Sequence, residues 1–279
     1  MNLLWLGDPK SFDSSLVGGK AANLSRLARM YHRVPDGFSL PVTLMDGVHP
    51  LDLQNEITYA ISELMACHSL PDFIAAVRSS AVDEDGTMAS FAGQHETYLN
   101  IVGAEAIIQA VTRCWESARS DRALEYRRQQ GLSVQRPQIA VLVQQLIPAD
   151  VSAVVFSANP VTGNRAEVII NASWGLGESI VGGTVTPDTF VVRKSDLAIT
   201  HRIIVDKQRM TVSAPGGTRE VEVPGFLRKQ SALADEQIME MARLAITLES
   251  TMEYAVDVEC AHAGGELYLL QCRPITTLR

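Results

Sequence analysis

The chain has 279 residues, of which 46% are hydrophobic and 20% are charged, and its formal net charge at pH 7 is −8. These proportions are typical of a globular protein with one large core or two modest ones, and they exclude a disordered chain. The negative charge disfavours a general role on nucleic acid or an anionic membrane, so we expect neither as a partner.

The sequence also bears on where the protein works. Its N-terminus has no basic stretch ahead of an apolar one, so no secretory signal is expected, and no window approaches the ~20 apolar residues of a membrane span. The four cysteines lie far apart without a CxxC pair, at Cys67, Cys114, Cys260 and Cys272. We therefore expect reduced thiols, no zinc site and a cytoplasmic location.

The first half of the chain is rich in predicted helices. Apolar residues recur with helical spacing over 20–31, 52–68 and 104–130. Two short apolar runs, 74–77 and 97–101, are typical of strands. Between those runs lies a polar segment with few bulky side chains.

The second half is rich in predicted strands and ends with a long helix over 234–252, for which Asp235 is a candidate N-cap. The short turns between the strands leave no room for crossover helices, so we predict antiparallel hairpins and an α+β fold. We place a domain boundary near 135–137, which gives residues 1–135 and 136–279. The predicted strands are 139–146, 153–157, 167–172, 189–193, 198–206, 256–260 and 267–272.

Gly18 and Gly19 lead into the first predicted helix, whose first turn carries Lys20. Exposed backbone N–H groups, the positive end of the helix dipole and an ammonium group together favour an anion. The pattern is not the GxxxxGK[ST] of a P-loop. The alternative interpretation is a helix-entry turn with a solvated lysine.

Residues 77–101 read VRSSAVDEDGTMASFAGQHETYLNI. Arg78 directly follows a predicted strand, and its planar guanidinium suits phosphate oxygens. Ser79, Ser80 and the small residues of 89–93 would let the backbone approach a ligand closely. The alternative is an acidic surface loop.

The C-terminal residues predict a polar hairpin. Strand alternation places Asp257 and Glu259 on one face of the first strand, and Leu269, Gln271 and Arg273 on one face of the second. Carboxylate and amide oxygens suit Mg²⁺, which commonly shares its coordination with phosphates. The alternative is the exposed polar face of an edge hairpin.

The glycine-dense stretch 171–188, NASWGLGESIVGGTVTPD, is open to two interpretations. It could be a loop that covers a ligand or a chain of turns. Glycine density alone does not decide between them.

Seven segments, in order along the chain, resemble one family. This family is the nucleotide-binding domain of the pyruvate phosphate dikinase, phosphoenolpyruvate synthase and rifampin phosphotransferase group, and the likeness covers nearly the whole chain. The segments are GGKAANLSRL, VPDGF, the 77–101 stretch, YRRQQG, VVFSANPVTG, ASWGLGESIVGG and VDVEC…LYLLQCRPIT.

The resemblance implies an ATP-grasp fold that holds ATP and Mg²⁺ between two α+β lobes, with an antiparallel sheet in the C-terminal lobe. It implies that Lys20 and Arg78 are catalytic and contact phosphates. The loop through Gly93 and Gln94 would cover those phosphates, and Thr97 would also bind the nucleotide.

The resemblance carries further roles to the second half of the chain. Gln144 and Leu146 match the strand that holds adenine, and Asp257 matches a residue that binds the cofactor. The remaining matches are the metal ligands Glu259 and Gln271 and the catalytic Arg273 at the phosphoryl end.

Members of this family split ATP to AMP and pass a phosphoryl group through a histidine on a separate domain. Here the chain ends at RPITTLR, and none of its six histidines lies in a segment like the family's carrier; among them His95, inside the covering loop, is the one to watch. The stretch between VPDGF and VRSS is also shorter than the family usually has.

Three hypotheses follow. The first is a stand-alone ATP-binding subunit of a split dikinase-type phosphotransferase, which phosphorylates a histidine on a separate carrier protein on the way to a small-molecule acceptor held by another protein. The second is an ATP-grasp kinase or ligase that acts directly on a small acceptor. The third is a module without catalysis, which either senses nucleotide or is vestigial.

Overall fold

The computed structural model describes residues 3–45, 47–82, 96–129, 131, 133–134 and 137–278. The chain forms two compact units. The first comprises Met1–Leu146 with Ala214–Gly217, and the second comprises Ile147–Ser213 with Thr218–Arg279. The predicted boundary near 135–137 therefore moves toward the C-terminus, because the strand after it pairs inside the first unit.

Within the described residues, the first unit is built on a five-stranded sheet of order β1-β2-β5-β3-β4. Both neighbours of β5 run antiparallel to it. The strands are β1 Leu4–Trp5, β2 Gly37–Leu40, β3 Ile74–Ala81, β4 Thr97–Val102 and β5 Ile139–Gln145. The helices are α1 Ser14–Arg29, α2 Pro50–His68, α3 Ala104–Ser117 and α4 Asp121–Gln129.

The two faces of this sheet differ in chemistry. Phe38, Val77 and Val143 belong to the hydrophobic core that the sheet forms with α2 and α3. Because side chains alternate along a strand, Arg78 and Gln144 project from the opposite face. Helix α1 packs against β3 and β5 on that face, so the polar side chains lie beside it.

Two predicted helices differ in detail from the observed ones. Helix α1 begins before the predicted start, at Ser14, because the Asp13 carboxylate accepts the Ser15 N–H as an N-cap. The long helix predicted over 104–130 is interrupted between α3 and α4, where the Ser120 hydroxyl accepts the N–H of Ala123 and starts a second helix.

The second unit is built on a six-stranded sheet of order β13-β12-β6-β7-β8-β9 in the described part of the chain. Every neighbouring pair in it is antiparallel, which confirms the predicted hairpins and the α+β class. The strands are β6 Val151–Phe156, β7 Glu167–Trp174, β8 Asp188–Arg193, β9 Ile199–Ile203, β12 Val256–Ala263 and β13 Glu266–Pro274. The remaining elements are α5 Glu178–Val181, the hairpin of β10 Arg209–Ala214 and β11 Gly217–Glu222, and α6 Asp235–Met252.

Helix α6 packs against this sheet, but its N-cap is not the predicted residue. Ala234 occupies the cap position, and its N–H donates to the side chain of Gln237 at 2.8 Å. The Asp235 carboxylate instead accepts two hydrogen bonds from Arg202, each 2.6 Å long. The N-cap prediction is therefore wrong by one residue.

An ion pair lies fully buried beside the first residue of β8. Lys207 Nζ donates to the two carboxylate oxygens of Asp188 at 2.7 and 2.8 Å, and both side chains have 0% exposure. The same carboxylate accepts the N–H groups of Val205 at 3.0 Å and Ala232 at 2.8 Å. Asp188 thus fixes two loops to the start of β8, and both of its carboxylate oxygens are satisfied.

None of the described helices combines the length and apolar character needed to span a membrane. All four cysteines are free; Cys67 is exposed and the other three are buried. Burial raises the pKa of the Cys114 thiol to about 12 and raises that of Cys260 as well, which leaves both thiols protonated and unreactive at neutral pH.

We expect Lys207→Met to lower the free energy of unfolding by about 3–5 kcal/mol, because it leaves the Asp188 carboxylate buried without its counter-charge. Urea denaturation followed by circular dichroism measures this change. Arg209→Ala is the control, since Arg209 pairs with Glu220 at the surface, and it should cost much less. Equal losses in the two variants would contradict the structural role of the buried pair.

Candidate functional site

The polar face of the first unit begins with a break in α1. Gly18 has φ 75° and ψ 166°, so the helix stops and resumes at the next residue. A Cβ atom at Gly18 would lie 2.1 Å from the backbone oxygen of Ser80. Only glycine allows the two backbones to approach this closely.

Lys20 follows the break and is only 5% exposed. Its Nζ donates to the carbonyl oxygen of Ser79 at 3.0 Å. The N–H of Ala21 donates to the Ser80 hydroxyl at 3.2 Å. The lysine is therefore anchored to the end of β3, in the segment where the sequence predicted an anion site.

Arg78 lies one residue before these contacts and is 8% exposed. In the sheet register it pairs with Leu142 on one side and with Thr97 on the other. Thr97 is half-buried at the first position of β4. The structure thus places the predicted arginine and threonine side by side, and Arg78 directly precedes Ser79, whose carbonyl accepts the hydrogen bond from Lys20.

Gln144 pairs with Ala76 and therefore shares the face of Arg78. It is 2% exposed, and its amide donates to the carbonyl of Pro35 at 2.9 Å. Leu146 follows β5, and its N–H donates to the carbonyl oxygen of Ile74 at 2.8 Å. Both predicted adenine residues are held firmly at one end of this sheet.

Predicted site residues of the first unit fall into two groups. Lys20, Arg78 and Gln144 share the α1 side of the sheet, with Thr97 beside Arg78. Gly93 and Gln94, and with them His95, lie outside the described residues.

The predicted site residues of the second unit lie on the β12–β13 hairpin. Asp257 pairs with Arg273, and Glu259 pairs with Gln271. Cross-strand partners project on the same side of a sheet. The hairpin therefore presents two acids, an amide and an arginine on one face, as the sequence predicted for these four residues.

Leu269 does not join this face. The register shifts between Glu259 and Cys260, and Cys260 pairs with Leu269. Leu270 is the extra residue of the resulting β-bulge, which turns the side chains beyond it to the other side. The prediction that Leu269 shares a face with Gln271 is wrong, and Leu269 is instead a buried core residue, 2% exposed.

Asp257 is held by Arg273. The Nε and Nη2 atoms of Arg273 both lie 2.9 Å from Oδ2 of Asp257. Burial raises the pKa of the Asp257 carboxyl, and the charge of Arg273 offsets part of that rise. Its Oδ1 is buried and accepts no hydrogen bond from any described residue, so one carboxylate oxygen has capacity for a further ligand.

The donors on this face fit a hard cation. The described residues contain no group of three or more His, Cys, Asp or Glu placed to hold a metal by themselves. Glu259, the Gln271 amide oxygen and Oδ1 of Asp257 supply oxygen atoms only. Mg²⁺ is commonly held by one or two carboxylates together with phosphate oxygens and water, so this donor set fits Mg²⁺ bound with a phosphate ligand.

The glycine-dense stretch 171–188 is tied to the β10–β11 hairpin. The N–H of Leu176 donates to the carbonyl oxygen of Thr211 at 2.9 Å, and the Thr218 hydroxyl donates to the Glu178 carboxylate at 2.6 Å. A Cβ at Gly175 would lie 2.3 Å from the Thr211 oxygen. These contacts join the stretch to the hairpin and include a short helix, α5, that the sequence did not predict.

Comparison with known proteins gives the class, a nucleotide-binding domain, and specifies its family. The model of the pyruvate phosphate dikinase AMP/ATP-binding domain matches residues 39–279. The chain belongs to this family.

Curated relatives match nearly the whole chain. A probable phosphoenolpyruvate synthase of Methanocaldococcus jannaschii is 35% identical over 318 aligned residues, covering 99% of this chain and 27% of its own length. A rifampicin phosphotransferase of Streptomyces sviceus is 36% identical over 95% of this chain and 34% of its own length. An uncharacterized phosphotransferase, YvkC of Bacillus subtilis, is 37% identical, also over 95% of this chain and 34% of its own length.

The chain spans roughly a quarter to two fifths of the length of these relatives and of a probable phosphoenolpyruvate synthase of Archaeoglobus fulgidus, of which it covers 42%. The family match begins at residue 39. Lys20 lies before that point, and the matches that cover 99% and 100% of the chain include it.

We expect Gly18→Ala to destabilise the protein more than Gly103→Ala does. Both glycines have positive φ and extended ψ, 75° and 166° against 85° and 152°, so both variants bear similar backbone strain of about 1–3 kcal/mol. Only at Gly18 does the added Cβ meet other atoms, since the one at Gly103 has nothing within 4 Å. Urea denaturation measures the difference, and equal losses would contradict the close helix–strand contact.

Proposed function

We propose that the chain is a Mg-ATP-binding phosphotransferase domain of the dikinase type, with an ATP-grasp fold. The observation that carries this proposal is the pair of cations Lys20 and Arg78, 5% and 8% exposed, anchored at the same end of β3 in a family defined by AMP/ATP binding. Preorganised cations of this kind neutralise the charge of a triphosphate without reorganising on binding.

In this proposal the residues of the first unit bind the nucleotide. The ammonium of Lys20 donates to the Ser79 carbonyl, and its positive charge would neutralise phosphate oxygens. Arg78 offers its planar fork to the same group. Gln144 and Leu146, held at the end of β5, contact the adenine, and Thr97, Gly93 and Gln94 bind the nucleotide as the family resemblance implies.

The β12–β13 hairpin supplies the metal ligands. Glu259 and Gln271 would hold Mg²⁺, and Asp257 would add its Oδ1, which accepts no hydrogen bond from a described residue. The ion, when bound, neutralises phosphate charge and aligns the transferred group. Arg273, oriented by its hydrogen bond and ion pair with Asp257, stabilises the charge that develops on the phosphoryl oxygens.

The acceptor we propose is a histidine on a separate carrier protein, which then passes the phosphoryl group to a small molecule bound by another protein. Two family relatives are named for phosphoenolpyruvate synthesis and rifampicin phosphotransfer. AMP is the expected nucleotide product. The four free cysteines support a cytoplasmic location.

An alternative is a kinase or ligase that transfers phosphate directly to a small acceptor. The match to the Methanocaldococcus jannaschii relative extends over 318 aligned residues, whereas this chain has 279. The relative therefore contains residues that this chain lacks within the aligned region. The absence of those residues could leave room for a small acceptor, and this favours the direct kinase or ligase.

Calorimetry with ATP and Mg²⁺ tests binding, and chromatography of the products tests the reaction. The split-system proposal expects binding by the chain alone, no turnover alone, and AMP once the proteins encoded beside it are added, if one of them is the carrier. ADP as the sole product with a small acceptor would favour the direct kinase. Absence of ATP binding would leave only a vestigial module and overturn both proposals.

We expect Glu259→Gln to lower the rate of AMP formation by about 100-fold or more, because the amide cannot replace an anionic metal ligand. Circular dichroism and the unfolding transition should stay unchanged, since Glu259 is half-buried rather than part of the core. Glu266→Gln, at the exposed far end of β13, is the matched control. Full activity in Glu259→Gln, or loss of the folded state, would count against the metal role.

A further inference from the structure

We propose that Ser80 is a positioning residue for Lys20: its hydroxyl caps the resumed part of α1 from the neighbouring strand and thereby fixes the lysine for phosphate binding. The effect of Ser80 on ATP binding rests on the proposed function. The cap itself is a feature of the fold and does not depend on that function.

The break in α1 creates a new helix N-terminus inside the element. Gly18 has non-helical dihedral angles, so it takes the N-cap position, and Gly19, Lys20 and Ala21 become the first three helical residues. The N–H groups of such a first turn have no partner within the helix. An N-cap side chain normally accepts the N–H of the second or third residue.

Gly18 has no side chain with which to do this. The Ser80 hydroxyl accepts the N–H of Ala21 at 3.2 Å, which is the third residue after the break. Ser80 therefore makes the hydrogen bond of an N-cap residue, although it lies on β3 and 59 positions away from Ala21. The helix is therefore capped by a residue that lies outside it, on a neighbouring strand of the same chain.

A local cap is sterically excluded. A Cβ at Gly18 would lie 2.1 Å from the backbone oxygen of Ser80 and 2.4 Å from its hydroxyl. A serine or aspartate at this position would displace α1 from β3. The close approach that requires glycine at the break also brings the replacement hydroxyl within reach of the helix.

The cap acts on Lys20 through a second anchor. Lys20 precedes Ala21 in the chain, and its ammonium donates to the carbonyl of Ser79 at 3.0 Å. Ser79 and Ser80 are consecutive residues of β3 and both have 0% exposure. One strand therefore holds both the backbone beside Lys20 and the tip of its side chain, which fixes the ammonium in position and direction.

Ser39 provides a matched control on the same sheet. It pairs with Leu142 of β5 and Ser80 pairs with Ala140 of the same strand, so both serines project toward the α1 side. Ser39 is also fully buried, but its hydroxyl has no hydrogen-bond partner among the described residues. Removing that hydroxyl deletes the same atoms without removing a cap.

The first test compares Ser80→Ala with Ser39→Ala in the full chain. We expect Ser80→Ala to weaken ATP binding in calorimetry by about 5–20-fold, with faster hydrogen exchange at the Ala21 amide. Ser39→Ala should bind ATP as the unaltered chain does, and Ser80→Thr, which keeps the hydroxyl, should restore binding to within about twofold. Unchanged binding and unchanged Ala21 exchange in Ser80→Ala would overturn the proposal.

A double-mutant cycle separates positioning from general destabilisation. If Ser80 acts through Lys20, Ser80→Ala should change ATP affinity less than about twofold in a Lys20→Met background. An undiminished effect there would show that Ser80 works by another route. If Ser80→Ala does not fold, Ser80→Cys replaces it in both tests, because a thiol is a weak acceptor of similar shape.

The cap can be tested even if the chain binds no ATP, an outcome that would overturn the proposed function instead. The ¹⁵N chemical shift of the Lys20 ammonium and the exchange of the Ala21 amide should then change in Ser80→Ala and stay constant in Ser39→Ala. Constant values in both variants would overturn the positioning role independently of nucleotide binding.

Discussion

The backbone contact between Gly18 and Ser80 is the constraint on which the polar face of the first unit depends. A helix and a strand approach this closely only where one of them has no side chain. The approach stops α1, starts it again one residue later and places Lys20 against the end of β3, beside Arg78. A packing requirement thus arranges two cations that the sequence separates by more than fifty residues.

Two buried aspartates in the second unit show how hydrogen bonding separates scaffold from site. Both oxygens of Asp188 are satisfied, by Lys207 and by backbone N–H groups of two loops. Asp257 gives one oxygen to Arg273 and keeps the other buried without a partner among the described residues. A fully bonded carboxylate stabilises the fold, whereas one with spare capacity can bind a ligand.

Local patterns in the sequence predicted much of this arrangement, and long-range contacts explain the rest. Alternation placed Asp257, Glu259, Gln271 and Arg273 on one face, because that rule needs only the strand itself. The bulge at Leu270 was not predictable, since it depends on which residues of β12 oppose β13. The partners Asp188 and Lys207, like the cap by Ser80, have no characteristic spacing, because the fold alone brings them together.

The bulge at Leu270 has an evolutionary consequence. A strand without the extra residue would reverse the orientation of every side chain on one side of it, so that either Gln271 and Arg273 would turn into the hydrophobic interior or Leu269 would leave it. Single-residue insertions and deletions in β13 are therefore more damaging than most replacements there. The number of residues between Glu259 and Gln271 therefore determines which side chains face the site as much as their identities do.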